Sequence, residues 1–220
     1  MYYQSINFGN EEFHAYPNKS LYWKRLKTLI VADLHLGKSI SYAKNKQFLP
    51  PYDTKEILNA LPSSVIKVGL FVNHGYKEVR SAIEHCPFDL LQFHGSEDNT
   101  FCDSFPLPFL KAIPFVSKDE TEVEFERYPD SIGILVDSAV AGKFGGTGIS
   151  FDWASVPTSE QPIWLAGGLC AENVASAIEI ARPYAVDVSG GVESSPGVKN
   201  SEMIRKFVKV VRDTDNLKGV

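Results

Sequence analysis

An α/β fold built on a parallel sheet is predicted by three observations. From residue 65 onward, six short apolar runs alternate with helical or loop crossovers. Each unit takes about 25 to 30 residues, roughly the size of a βαβ repeat. The clearest run, Ile134-Leu135-Val136, is short and rich in β-branched residues, as befits a strand buried on both faces. Finally, the glycine pairs Gly167-Gly168 and Gly190-Gly191 each follow one of the last two predicted strands.

The central run ends on Asp137, and a loop with Gly145, Gly146 and Gly148 comes next, then Phe151-Asp152-Trp153. A carboxylate where a buried strand runs out, followed by a glycine-rich loop, is where a parallel barrel places its chemistry. The same residues would also suit an Asp that caps a turn and glycines that merely turn the chain. Six units fit an open doubly wound sheet or most of an eightfold TIM-type (β/α)8 barrel. The glycine pairs favour the barrel, because its last two strand–helix loops are neighbours and frequently form a phosphate site. Glycine lets backbone N–H groups approach phosphate oxygens. There is no Rossmann-type G-x-G-x-x-G after a first strand and no Walker lysine motif.

Taken in order, residues 1 to 28 interleave aromatic and polar residues, which suits the short strands of a hairpin with Pro17-Asn18-Lys19 as its turn. Thr28 to Ala32 is a strand candidate leading into Asp33 and His35, which share one strand face. Residues 39 to 53 read as a loop, and Thr54 to Leu61 as a short helix. Strands are expected at 65–72, 88–94, around 110–113, at 132–138, 162–166 and 185–189. Tyr76, Val79, Ile83 and Cys86 recur at helical spacing, as do Val174, Ala177, Ile178 and Ala181. Met203, Ile204, Phe207, Val208 and Val211 mark a last helix, whereas the acidic stretch 119–128 is only weakly helical.

The totals exclude several classes. The 220 residues carry 22 Lys and Arg against 27 Asp and Glu, a net charge of −5, which gives no support to nucleic-acid binding. Three scattered cysteines, Cys86, Cys102 and Cys170, make neither a disulfide framework nor a zinc site, and suit a reducing compartment. No apolar run approaches the roughly 18 residues that span a bilayer, and the first residues lack a signal-peptide pattern. A cytoplasmic protein without a membrane partner is expected.

Residues 65 to 212 resemble the phosphoribosylanthranilate isomerase family. The resemblance rests on VGLFVN (68–73), LLQFHGSE (90–97), ILVDS (134–138) and GGTGISFDW (145–153). It continues in LAGGL with ENV (165–174), VDVSGGVE (186–193) and PGVK (196–199). It implies a (β/α)8 barrel and a tryptophan-pathway isomerase that needs no metal or cofactor and acts on a small phosphosugar. Asp137 is then the general acid. Gly167, Gly168, Gly190 and Gly191 line the phosphate site, and Asp187 meets the ribose hydroxyls. Gln92 lies beside the anthranilate ring, with further substrate contacts at Gly145, Gly146 and Ser189. His94 is weighed as a packed or capping histidine.

The family's opening strand with its cysteine base, and the loop with its anthranilate-binding arginine, have no counterpart here. The first two barrel units are therefore expected to be atypical or incomplete, with impaired activity as one consequence. Residues 19 to 61, with LYWKRLKTLIVADLHLGKS and FLPPYDTKEIL, resemble the ligase-associated metallophosphoesterases, in which Asp33 and His35 would be metal ligands. The other ligand motifs of that family are missing, and two ligands do not build a two-metal site. The expected division is 1–61, an atypical segment, and 62–220, isomerase-like barrel units. If the barrel closes, Thr28 to Asp33 must fill a vacant position, which would put Asp33 or His35 near the place of the missing base. The alternatives to an isomerase are a phosphosugar-binding barrel remnant without catalysis and, ranked last, a metal-dependent phosphoesterase.

Overall fold

The computed structural model describes residues 66–138, 151–195 and 198–217, together with the backbone of 4–8, 11–15, 20–23 and 28–31. The chain divides into two compact units, Met1–Gln92 and Phe93–Val220. The expected boundary at residue 61 falls outside the described residues, as do Asp33, His35 and the helix expected at Thr54–Leu61.

In the first unit, β1 (Gln4–Phe8), β2 (Glu11–Ala15), β3 (Ser20–Trp23) and β4 (Thr28–Val31) form a sheet of that order. Every pairing in it is antiparallel, with Ala15 opposite Leu21 and Ser20 opposite Val31. The expected hairpin is thus present, extended to four strands. The expectation that Thr28–Asp33 supplies a missing barrel strand is overturned. β4 stops at Val31 and is hydrogen-bonded antiparallel to β3, whereas a barrel position needs a parallel neighbour.

The unit continues with β5 (Val68–Phe71), α1 (Tyr76–His85) and β6 (Leu90–Phe93), whose last residue belongs to the second unit. The Lys67 carbonyl accepts from the N–H groups of Asp89 and Leu90, and the Asp89 carboxylate accepts from the Lys67 N–H at 2.8 Å. α1 begins at Gly75, whose N–H donates to the Glu78 carboxylate at 2.8 Å, and it buries Val79.

The second unit alternates strand and helix. It holds α2 (Asn99–Asp103), β7 (Phe109–Phe115), α3 (Lys118–Glu126), β8 (Gly133–Ser138), β9 (Ile163–Leu165), α4 (Val174–Ala181) and β10 (Ala185–Val186). A short hairpin, β11 (Glu193–Ser195) and β12 (Val198–Lys199), precedes α5 (Ser201–Leu217). β7 to β10 are neighbours in chain order, and each pair is parallel.

All six residues of β8 are buried. Ile134 and Val136 pack with Phe125 and Tyr128, while Leu135 packs with Ala112 and Ala166 on the other face. A continuous apolar run is what such a two-faced position requires. The acidic stretch forms a full helix, α3, because Ser117 caps it by accepting from the Glu120 N–H and Asp119 and Glu120 lie in its first turn. Thr121 and Phe125, four apart, are its buried positions. α2 was not expected; Asp98 caps it by accepting from the Phe101 N–H at 2.8 Å.

Candidate active site

Asp137 is the fifth residue of β8 and is 5% exposed. Its Oδ1 accepts the Ser138 N–H at 2.7 Å, and its Oδ2 lies 3.3 Å from Nε2 of His94, the residue after β6. The two strand ends therefore bring a carboxylate and an imidazole into hydrogen-bond range. His94, weighed from the sequence as a packed or capping residue, is instead the partner of this carboxylate.

Gly167 follows β9 with φ +84°, and Gly168 follows with φ +64°. A Cβ on Gly167 would fall 2.4 Å from the Ser138 nitrogen and 2.8 Å from Asp137 Oδ1. Both the backbone conformation and the space thus demand glycine here. Asn173, at the start of α4, holds this loop. Its Nδ2 donates to the Gly168 carbonyl at 2.9 Å, and its Oδ1 accepts from the Cys170 N–H at 2.8 Å.

The second glycine pair forms a single 3-10 turn, Gly190–Val192, after β10. Gly191 is packed directly against Leu169 and Cys170. Asp187 leaves β10 with its N–H on the Leu165 carbonyl at 2.8 Å, and its side chain is exposed. Lys199 Nζ donates to the carbonyl of Ser189 at 2.9 Å, to its hydroxyl at 3.2 Å and to Glu193 at 2.7 Å. The turn is therefore tied down by a partly buried ion pair.

The structure thus gathers Asp137, Gly167 and Gly168 into one cluster and packs the Gly190-Gly191 turn on the same loop. Gln92 is partly buried in β6, in the first unit. Gly145 and Gly146 lie outside the described residues. Among the described residues no group of three His, Cys, Asp or Glu side chains is placed to hold a metal, and no helix is long and apolar enough to cross a membrane. Sequence reasoning missed His94 and Lys199 as site-shaping residues. Both lie inside quoted motifs, and alternation along β6 puts His94 on the face of Gln92.

The second unit is thus a parallel α/β unit whose strand ends place a carboxylate against an imidazole beside two packed glycine turns, a combination of groups that can support acid–base chemistry. The family model for N-(5'-phosphoribosyl)anthranilate (PRA) isomerase matches residues 22–210, and the chain belongs to that family. The isomerase of Acidithiobacillus ferrooxidans is 45% identical over 175 residues, 80% of this chain and 85% of its own length. The solved phosphoribosylanthranilate isomerase of Thermotoga maritima superposes with a TM-score of 0.64 at 25% identity, covering 83% of this chain and 96% of its own. A further solved isomerase, in complex with reduced 1-(o-carboxyphenylamino)-1-deoxyribulose 5-phosphate, gives a TM-score of 0.60 at 29% identity, over 76% of this chain and 82% of its own. The family match begins inside the stretch likened to metallophosphoesterases.

Proposed function

We propose that the chain converts N-(5-phosphoribosyl)anthranilate to 1-(2-carboxyphenylamino)-1-deoxyribulose 5-phosphate in tryptophan biosynthesis, acting in the cytoplasm. The observation that carries this reading is the contact of Gly167 with Asp137. The carboxylate at the end of β8 packs against the loop that, with the Gly190-Gly191 turn, would hold the substrate's phosphate. The solved relative with the reduced product analogue supports the choice of substrate.

In the proposed reaction Asp137 donates a proton to the furanose ring oxygen. The bond from that oxygen to C1 breaks, and the anilino nitrogen lone pair completes a Schiff base at C1. A base then removes the C2 proton, and the resulting enolamine tautomerises to the amino-ketose. Every proton lost is regained, so the step is an isomerisation without oxidant or reductant. Backbone N–H groups at Gly167, Gly168, Gly190 and Gly191 would bind the phosphate, with Ser189 beside them. Asp187 would hold the ribose hydroxyls. Gly145 and Gly146 would border the substrate.

The proposal includes a (β/α)8 barrel whose last six units lie within residues 62–220 and whose first two are atypical, with 1–61 as a separate segment. The family's cysteine base and anthranilate-binding arginine have no counterpart in the sequence. That absence supports the second reading, a phosphosugar-binding remnant without catalysis. Rescue of a tryptophan auxotroph lacking the isomerase separates the two. Growth supports the isomerase, and no growth with retained phosphate binding supports the remnant.

A further inference from the structure

Lys111, in the middle of β7, is 1% exposed and is the one charged residue among the largest fully buried side chains of the described residues. Lysine is almost never buried to this extent unless paired. Its ammonium bonds to one short segment. Nζ donates to the Gly95 carbonyl at 2.5 Å and lies 3.5 Å from the Phe93 carbonyl and 3.3 Å from Glu97 Oε2. Phe93 and Gly95 are the residues on either side of His94.

Glu97 completes the lattice. Its Oε2 accepts the Gly95 N–H at 2.9 Å, and its carbonyl accepts from the Tyr128 hydroxyl at 3.1 Å and faces the Cys102 thiol at 3.9 Å. Burial pushes both the Tyr128 phenol and the Cys102 thiol up to about 12, so both keep their protons. The Tyr128 ring also covers the ammonium, 5.3 Å from its centroid.

We propose that Lys111 and Glu97 are positioning residues for the reaction: their buried ion pair fixes the segment 93–97 so that His94 Nε2 stays against Asp137 Oδ2. The proposal rests on the reading of Asp137 as the acid. Apolar replacement of a buried ion pair is often neutral or stabilising, so stability alone does not require one. Catalytic geometry does, because a misplacement of about 1 Å costs about 10²-fold in rate. The ammonium grips the chain on both sides of the imidazole-bearing residue, which is where a clamp on that side chain must act.

The test uses the full-length chain. Lys111→Met alone would strand a buried carboxylate, so the variant is Lys111→Met with Glu97→Gln. Met fills the stem volume and Gln keeps an acceptor for the Gly95 N–H. kcat is expected to fall about 10²-fold with KM unchanged. In a His94→Asn background the same pair of changes should cost nothing further, since their effect passes through His94. Unchanged kcat, or losses that multiply in the triple variant, would overturn the proposal. The imidazole resonances of His94, assigned by their loss in His94→Asn, give a readout that needs no turnover. They should shift in the double variant, and unshifted resonances overturn the proposal. A parent without turnover but with shifted resonances counts against the isomerase reading and still supports the clamp. Should the double variant not fold, Lys111→Gln with Glu97→Gln likewise removes both charges, leaves polar groups for the segment's backbone, and provides the same resonance test.

Discussion

Gly191 stands so close to Leu169 that a Cβ on it would fall 1.8 Å from the Leu169 carbonyl oxygen. The two glycine loops are thus packed backbone on backbone. Gly190, its neighbour, has nothing within 4 Å of the same position. The pair makes a matched experiment. Gly191→Ala must push the loops apart, because no rotamer relieves a clash with backbone, and overpacking of this kind costs about 1–3 kcal/mol. Gly190→Ala should stay within about 0.5 kcal/mol, as surface changes usually do. Thermal unfolding should therefore give a clearly lower Tm for Gly191→Ala alone. Equal midpoints would show that the loops are not in contact.

Asp137→Asn tests the acid. The amide oxygen can still accept from Ser138, so the fold should hold, but no proton can be donated. Turnover of phosphoribosylanthranilate should fall by about 10² to 10⁴, the usual contribution of one acid–base group. Phosphate binding, measured by calorimetry, should stay as in the parent, because the glycine loops remain. An undiminished rate would remove Asp137 from the reaction.

Alkaline pH tests the buried donors around Glu97. Cys102 is raised from 9.0 to about 12, chiefly by burial, and Tyr128 from 10.0 to about 12 for the same reason. Below about pH 8 both groups are protonated in the folded and unfolded chain, so they add no pH dependence. Above it the unfolded chain releases protons that the folded chain keeps. Stability then falls as pH rises, until the folded groups titrate near 12. Each group adds at most about 1.4 kcal/mol per pH unit to that slope. Urea midpoints across this interval should decline, and Cys102→Ala should make the decline shallower. An identical slope in the variant would show that the thiol is not buried as described.

The parts of this fold that were legible in the sequence are those where one physical pattern has one cause. β8 declared itself because a strand covered on both faces must be apolar throughout, and only its end could carry Asp137. The helices α1, α4 and α5 showed their apolar faces at helical spacing. α3 was nearly hidden, since a helix with two buried residues in nine is held by its cap and first-turn acids rather than by a stripe. β4 was misplaced because an apolar run does not say which neighbour it pairs with. The glycines after β9 and β10 were visible as pairs, but Lys111 and Lys199 were not. A lysine's partners come from residues distant in sequence or across a hairpin, and no local spacing encodes them.

Lys199 ties the Ser189 carbonyl and hydroxyl to Glu193 just behind the Gly190-Gly191 turn. Both side chains of the pair are largely buried, at 9% and 14% exposure. Removing one partner from such a pair leaves an uncompensated charge and costs about 3–5 kcal/mol, whereas replacing both is often near neutral. Lys199→Met should therefore be strongly destabilised, and Lys199→Met with Glu193→Gln should recover most of that loss. Binding should not recover with it. Without the ammonium the Ser189 carbonyl keeps only the longer bond from the Val192 N–H at 3.4 Å, the turn is held less tightly, and a positive charge behind the proposed phosphate site is gone. KM for phosphoribosylanthranilate, and the dissociation constant for inorganic phosphate, should both rise in the double variant, while kcat at saturation changes little. Chemical denaturation and calorimetry on the same preparations separate the two effects. If stability and phosphate affinity recover together, Lys199 serves the fold alone and has no part in holding the substrate.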